Sequence, residues 1–478
     1  MSDARGLLDR ISAFRQRLES APQLAADVPA DDPAAVSQPE AFRQALRQIA
    51  GPAVVDEGPV PPQLTARTHR LLQTAKELLD RQREFTADPV FAGLSAAPGA
   101  PDPLVPYHSE TVAVMDSAIR LAQAFPESPS VQLKLCDGLD GVLEIVRERL
   151  TVQERALAAR RTDLHRTDRL AAVFAALAQM RTVNLQPVAT QAEEILEDVR
   201  QTRPLRFLYA DPESTCSYPG GVSLPAPARY LAAHALNVAQ VVARVVHLDY
   251  EWAGRPLVAV CTALLADCGM MRVPAAVIAK PGPLTPEERR LVEGHPQHGG
   301  EMIVRHVAGA APLAEPVVAH HERADGTGYP LGLKGSTAPS LGRLIAVADA
   351  YAALCSPRPH RPAADTRAAL TEVLMMAERG ALDPDITEYL VHLSFYPVGS
   401  VVELTDGRVG VVAANHPNRM DPRVPGRPVV AVLADAAGHL LPRPEHLDLS
   451  ASDRGGILRG LPAGRKRQLL GHRYPDLV

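Results

Sequence analysis

Residues 320 to 330 read His-His-Glu-Arg-Ala-Asp-Gly-Thr-Gly-Tyr-Pro, placing two adjacent imidazoles, a carboxylate and a glycine-bearing turn in one short stretch. Neighbouring imidazoles can serve one metal centre only where the chain turns sharply or a helix ends. Gly326 and Gly328 are expected to supply the left-handed or strained dihedrals of such a turn, and Pro330 to fix its exit. The apolar run Pro316-Val317-Val318-Ala319 leads straight into His320 and argues for a buried helix end rather than a solvated loop. Half of the sixteen histidines fall between positions 234 and 360, an enrichment that points to metal.

Four further segments carry groups of the same chemistry. His234 lies in a helix expected over Pro227 to Val246, within His234-Ala235-Leu236-Asn237-Val238-Ala239. A lone helical histidine reads by itself as a satisfied core residue. Asp267 stands in Leu264-Leu265-Ala266-Asp267-Cys268-Gly269-Met270. Thr285-Pro286-Glu287-Glu288 has the composition of a helix start, with threonine as N-cap, proline at the first helical position and glutamate at the third, and that helix leads to His295-Pro296. Asp349 belongs to Val347-Ala348-Asp349-Ala350-Tyr351-Ala352-Ala353-Leu354, in a helix expected over Ser340 to Cys355.

Together these stretches resemble the HD-GYP proteins, metal-dependent phosphodiesterases of the HD superfamily that act on cyclic di-GMP. The pattern His-His-Glu-x-x-Asp-Gly-x-Gly-Tyr-Pro is matched at every fixed position, and the likeness extends over about residues 225 to 395. The resemblance implies metal ligands at His234, Asp267, His295, His320, His321 and Asp349. Asp267 would bridge two half-sites and act as the catalytic carboxylate. It also implies substrate contacts from Tyr329, Arg358 and Arg361; a guanidinium suits a phosphodiester by its paired donors. The cofactor implied is a divalent transition metal (Fe, Mn, Zn or Ni), as one or two ions. His298 is read as structural, and His306 is left unassigned.

The chain departs from the family pattern at identifiable positions. Ala266 stands where the family has the histidine of its His-Asp pair, Met270 where it has lysine, and Ala352 where it has a second aspartate. Tyr230 occupies a position where some members carry a glutamate for a third metal, so a third ion is not expected. Two readings follow. One is a phosphodiesterase of reduced activity on cyclic di-GMP or a related phosphoester. The alternative is a catalytically inactive HD-GYP domain serving as a nucleotide sensor or protein-interaction module. A bare structural scaffold is the third possibility in principle.

The rest of the chain must position these groups. At 478 residues it exceeds one ordinary domain. The expected fold class is mainly α, an HD-superfamily helical bundle with an N-terminal helical region and a small C-terminal β domain. The expected divisions are 1–165 (helical with disordered linkers), 166–395 (metal-binding helical domain), 397–452 (β-barrel-like) and 453–478 (tail). Leu7, Leu8, Ile11, Phe14 and Leu18 recur at helical spacing. A second helix over 63 to 86 should present Leu71, Leu72, Ala75, Leu78 and Leu79 on one face. The charged, leucine-spaced segment Val142 to Arg169 reads equally as a stalk, a homodimer contact or part of a self-packed bundle. Period-two patterning in Val401 to Val412, turning at Asp406-Gly407, and again in Val429 to Leu433, predicts strands.

A net charge of -5 leaves no basic footprint, so no nucleic-acid partner is expected. Five scattered cysteines without CxxC spacing fit thiols kept reduced. Met1 to Glu19 is too charged for a signal peptide, and no apolar run approaches about 18 residues. A cytoplasmic protein without membrane contact is the expectation.

Overall fold

The computed structural model describes residues 60–96, 102–123, 129–215, 222–359, 361–392, 396–414, 427–451, 456–461, 463–470, 473–474 and 477. The helix expected around Leu7 to Leu18 lies outside them. The chain is mainly α, ending in a five-stranded antiparallel sheet. Contacts divide it into two units, one drawn from Met1–Lys76 with Met115–Glu144, the other from Glu77–Val114 with Ile145–Val478.

Four helices open the described chain: α1 (Pro62–Thr86), α2 (Pro89–Ala96), α3 (Leu104–Gln123) and α4 (Pro129–Ala178). On α1 the buried stripe is Leu71, Ala75 and Leu78, with Leu79 half-buried. Leu72 is 40% exposed, contrary to expectation. It sits about 100° around the helix from Leu71, beyond the edge of a stripe spaced by four and three residues. Helix α4 runs for 50 residues without a break, so the boundary expected at 165/166 falls inside a helix. In the first unit Arg67 pairs with Asp137 and Asp140. In the second, Ala156 and Leu157 of α4 pack on Phe85, Phe91 and Leu104. Arg81 meets Glu154, and Arg160 meets Asp102 through two donors each. The self-packed reading of Val142 to Arg169 accounts for these contacts.

The helices that build the histidine-rich region follow. They are α5 (Gln186–Arg200), α6 (Ala228–Val245), α7 (Pro256–Leu265), α8 (Ala275–Ile278), α9 (Pro286–Glu293), α10 (His295–His306), α11 (Ala314–Ala319), α12 (Ser340–Cys355), α13 (Thr366–Glu378) and α14 (Pro384–His392). Helix α6 is apolar on most of its circumference because it is covered on most sides. Leu231, Leu236, Val238, Val241, Val242 and Val245 all enter one core shared with α7 and α12. Helix α9 begins as its sequence dictates: Thr285 accepts from Glu288 N, and the Glu288 carboxylate accepts from Thr285 N at 2.7 Å. The free thiols of Cys136, Cys261, Cys268 and Cys355 are buried.

The C-terminal strands are β1 (Val401–Leu404), β2 (Val409–Ala414), β3 (Val429–Ala434), β4 (Leu440–Asp448) and β5 (Ile457–Gly460), in spatial order β4-β3-β2-β1-β5. Asp406-Gly407 turns the first hairpin, with Gly407 at φ +84°. Strand β5 pairs antiparallel with β1, and α15 (Ala463–Leu470) contributes Leu470 to the cluster of Val401, Val409 and Leu433. The β region therefore continues through residues expected to form a tail. Ile457-Leu458-Arg459-Gly460 is too short to announce a strand by periodicity; its pairing with β1 makes it one. No helix among the described residues is long and apolar enough to cross a membrane.

Candidate metal centre

Helix α11 is short and its inner face is apolar: Val317 and Ala319 are buried. The helix ends at Ala319, His320 is its C-cap, and both imidazoles leave from that end. His320 Nδ1 donates to Val317 O at 2.5 Å, and His295 Nδ1 donates to Val292 O at 2.6 Å. A carbonyl can only accept, so each Nδ1 carries a proton and Nε2 is the ring atom left to face the site. Those two Nε2 atoms lie 3.3 Å apart, with His295 Nε2 3.3 Å and His320 Nε2 3.9 Å from Asp267 Oδ1. With both rings neutral their Nε2 lone pairs would face one another, and a cation between them would remove that repulsion. Ligand atoms of Asp267, His295, His320 and His321 all lie within 4.8 Å of one another.

The second oxygen of Asp267 looks the other way. Oδ2 is 3.6 Å from His234 Nε2, which in turn is 2.7 Å from Asp349 Oδ1. His234, Asp267 and Asp349 form a second group by the same 4.8 Å measure. One carboxylate thus faces two clusters, one with each oxygen.

Local sequence explains how Asp267 arrives there. It follows α7 at the head of a tight helical turn, Cys268–Arg272, that packs on α10. A Cβ at Gly269 would stand 2.0 Å from His295 O, so only glycine lets this turn approach the helix that bears His295.

The charges fit ligation. Burial alone would raise the Asp267 carboxyl, but the His295 hydrogen bond and the neighbouring imidazoles hold it well below the usual carboxylate range. Asp349 is held low in the same way by His234, against its burial. Burial, then the charge of His295, lowers His320, and burial with the charges of His320 and His295 puts His321 far below the usual imidazole value. His320 and His321 are neutral donors around ionised carboxylates, which is the protonation a divalent ion requires.

The loop after the histidines folds back on them. Tyr329 N donates to His321 O at 3.1 Å, and the Tyr329 ring stacks on His321 with centroids 4.9 Å apart. Glu322, buried at 5% exposure, accepts from Leu331 N at 2.7 Å and Leu333 N at 2.9 Å, closing the loop. The two glycines act differently from each other. Gly326 has φ +81°, whereas Gly328 is needed for space: a Cβ there would lie 2.3 Å from Arg323 N.

The expected substrate residues separate. Arg358 and Arg361 are joined by a reciprocal backbone pair. The Arg361 guanidinium donates to Ala353 O at 2.6 Å and Leu354 O at 3.3 Å, so it caps the end of α12. The Arg358 guanidinium has no hydrogen bond or ion pair with another described residue. Ala266 and Ala352 are buried in the core, and Met270 packs against it half-buried. His298 and His306, on α10, join neither ligand group. Sequence reasoning missed the anchoring by Glu322 and the cap by Arg361. The glutamate sits in the motif, but its partners are backbone groups that no residue type announces.

Residues 223–386 match the family model of an HD domain, and residues 401–460 that of a KOW domain associated with the HD domain. A cyclic di-GMP phosphodiesterase of Pseudomonas aeruginosa is 41% identical over 155 residues, covering 32% of this chain and 37% of the relative. Residues 223–386 are an HD domain of the HD-GYP type. A cyclic di-GMP phosphodiesterase response regulator of Xanthomonas campestris pv. campestris is 39% identical over 132 residues, 27% of this chain and 34% of the relative. A 3'3'-cGAMP-specific phosphodiesterase of Vibrio cholerae is 34% identical over 171 residues, 34% of this chain and 35% of the relative. The chain therefore spans about a third of the length of these curated relatives. The family implies a divalent metal, and the donor set around Asp267 fits one.

Proposed function

We propose that this HD-GYP domain is a metal-dependent phosphodiesterase of reduced activity, acting on cyclic di-GMP or a related phosphoester. The observation that carries the reading is the placement of Asp267, with one oxygen toward His295 and His320 and the other toward His234. His295, His320, His321 and Asp267 would hold one ion, a set of three imidazoles and a carboxylate suited to Fe, Mn, Zn or Ni. His234, Asp267 and Asp349 would hold a second more weakly, because Ala266 offers no imidazole. A bound divalent ion draws charge from phosphoryl oxygens and acidifies water, the two requirements of phosphodiester hydrolysis.

The protein's own groups do the rest. Val292 O and Val317 O fix the imidazole tautomers, and Glu322 holds the loop that sets Tyr329 on His321. The Arg358 guanidinium, without a side-chain partner among the described residues, neutralises the phosphate. Met270 supplies no cation for the leaving oxygen, which is the physical reason to expect slow turnover. The same loss favours the second reading, a domain that binds nucleotide without turning it over. Four buried free thiols fit a reducing cytoplasm. Assay of purified protein with cyclic di-GMP and each of Mn, Fe, Zn and Ni tests the proposal. Metal-dependent release of linear dinucleotide is expected, and binding without release would favour the sensor.

A further inference from the structure

Met270 removes a cation from the reaction centre, and Arg361 is engaged with the end of α12, so the phosphate needs holding by other groups. Tyr230 lies one helical turn before His234 on α6 and is half-buried against the core. Residues four apart on a helix share a face, so its side chain leaves on the same side as the His234 imidazole. The Tyr209 ring meets it edge to face, with centroids 6.2 Å apart.

Three chain segments are tied together at this point by one buried side chain. Asn237 Oδ1 accepts from Leu208 N at 2.7 Å, and its Nδ2 donates to Leu208 O at 2.8 Å. The same Nδ2 reaches Ser356 Oγ at 3.1 Å. Asn237 thereby fixes the residue before Tyr209 and the residue two before Arg358, both from the helix that carries Tyr230 and His234. Asp267, Arg358 and Arg361 all act electrostatically on the Tyr230 hydroxyl, and burial raises its pKa. At neutral pH it is therefore a neutral donor.

Resting on the function proposed above, we infer that Tyr230 and Arg358 form the phosphate-holding wall of the site. The Tyr230 hydroxyl donates to a non-bridging oxygen of the bound phosphodiester, Arg358 takes the other, and Tyr209 sets the angle of the Tyr230 ring. A phenol replaces ligation with hydrogen bonding at this position and makes up for part of the charge lost at Met270.

The test measures cyclic di-GMP affinity of the metal-loaded full chain by calorimetry, together with its metal content. Tyr230→Phe should weaken binding about tenfold, the loss of one hydrogen bond to a charged group, with metal content unchanged. Tyr209→Leu should weaken it less, and Tyr230→Phe should add little once Arg358→Gln is in place. Binding within about twofold of the parent, for a loss this size, would overturn the wall while leaving the phosphodiesterase reading standing. Loss of metal in Tyr230→Phe would overturn it in favour of a role in ligation. A parent chain that neither binds nor hydrolyses cyclic di-GMP with any of the metals would overturn both.

Discussion

The two clusters that share Asp267 are built differently. The one around His295, His320 and His321 sits at two helix ends, where the carbonyls of Val292 and Val317 pin the imidazoles. The one around His234 and Asp349 draws its groups from the middles of α6 and α12, where backbone carbonyls are already engaged within the helix. Its histidine is oriented by a carboxylate instead, Asp349 Oδ1 at 2.7 Å. Ordering at the first cluster thus needs no ion, whereas at the second an ion must compete with the His234–Asp349 contact. Position 266 sharpens the contrast: the family pattern has a histidine there, assigned on that resemblance to the second cluster, and this chain has alanine.

The largest effect should come from the group common to both. Asp267→Asn should lower affinity at both clusters by more than about 100-fold, since even the loss of a group behind the ligands costs about 10–100-fold. Metal content after desalting should fall to background. His320→Ala should have an effect of similar size on the first cluster while leaving weak binding at the second. Equal loss at both, read by metal titration, would break the distinction drawn between them. Ala266→His with Met270→Lys should strengthen the second cluster about 10-fold or more and raise turnover of cyclic di-GMP. Unchanged turnover would mean that backbone geometry, not these two side chains, limits the reaction.

The first cluster was the more legible in sequence, for reasons that separate local from distant causes. His320-His321 after an apolar run, and Thr285-Pro286-Glu287-Glu288 before His295, are helix-end patterns decided by near neighbours. The Glu322 anchor was invisible because its partners lie at Leu331 and Leu333 after the chain has turned. Arg361 carries a charge that suits a phosphate, but nothing in its type reveals that it reaches two carbonyls of α12. The same limit applies beyond the site. The mainly α class followed from the resemblance together with helical spacing, and β1, β2 and β3 from period-two patterning, whereas β4 was not foreseen. By contrast, β5 was set by pairing, and the unbroken α4 ran through an expected boundary because charge-rich helix and linker look alike in composition.

Smaller effects sharpen the comparison further. Glu322→Gln leaves one backbone N–H facing an amide that cannot accept from it, costing about 1–3 kcal/mol of local stability. Turnover should fall with metal content unchanged, which separates the loop from the ligands. The pH response of chelator-treated protein should belong to the first cluster. His320 and His321 lie below the usual imidazole value in the fold, so the unfolded chain binds protons first as pH falls. Their contribution is complete above about pH 6.5 and is lost as pH drops through their folded values. Calorimetry on ion-free protein should show the midpoint falling over that range, and His321→Phe should flatten the slope.

The most direct measurement is a titration of chelator-treated protein with Mn and Zn, counting ions retained per chain after desalting. One ion held firmly, lost in His320→Ala, with a second bound only in excess metal, is the predicted result. Two ions held with equal strength, or none, would contradict the account.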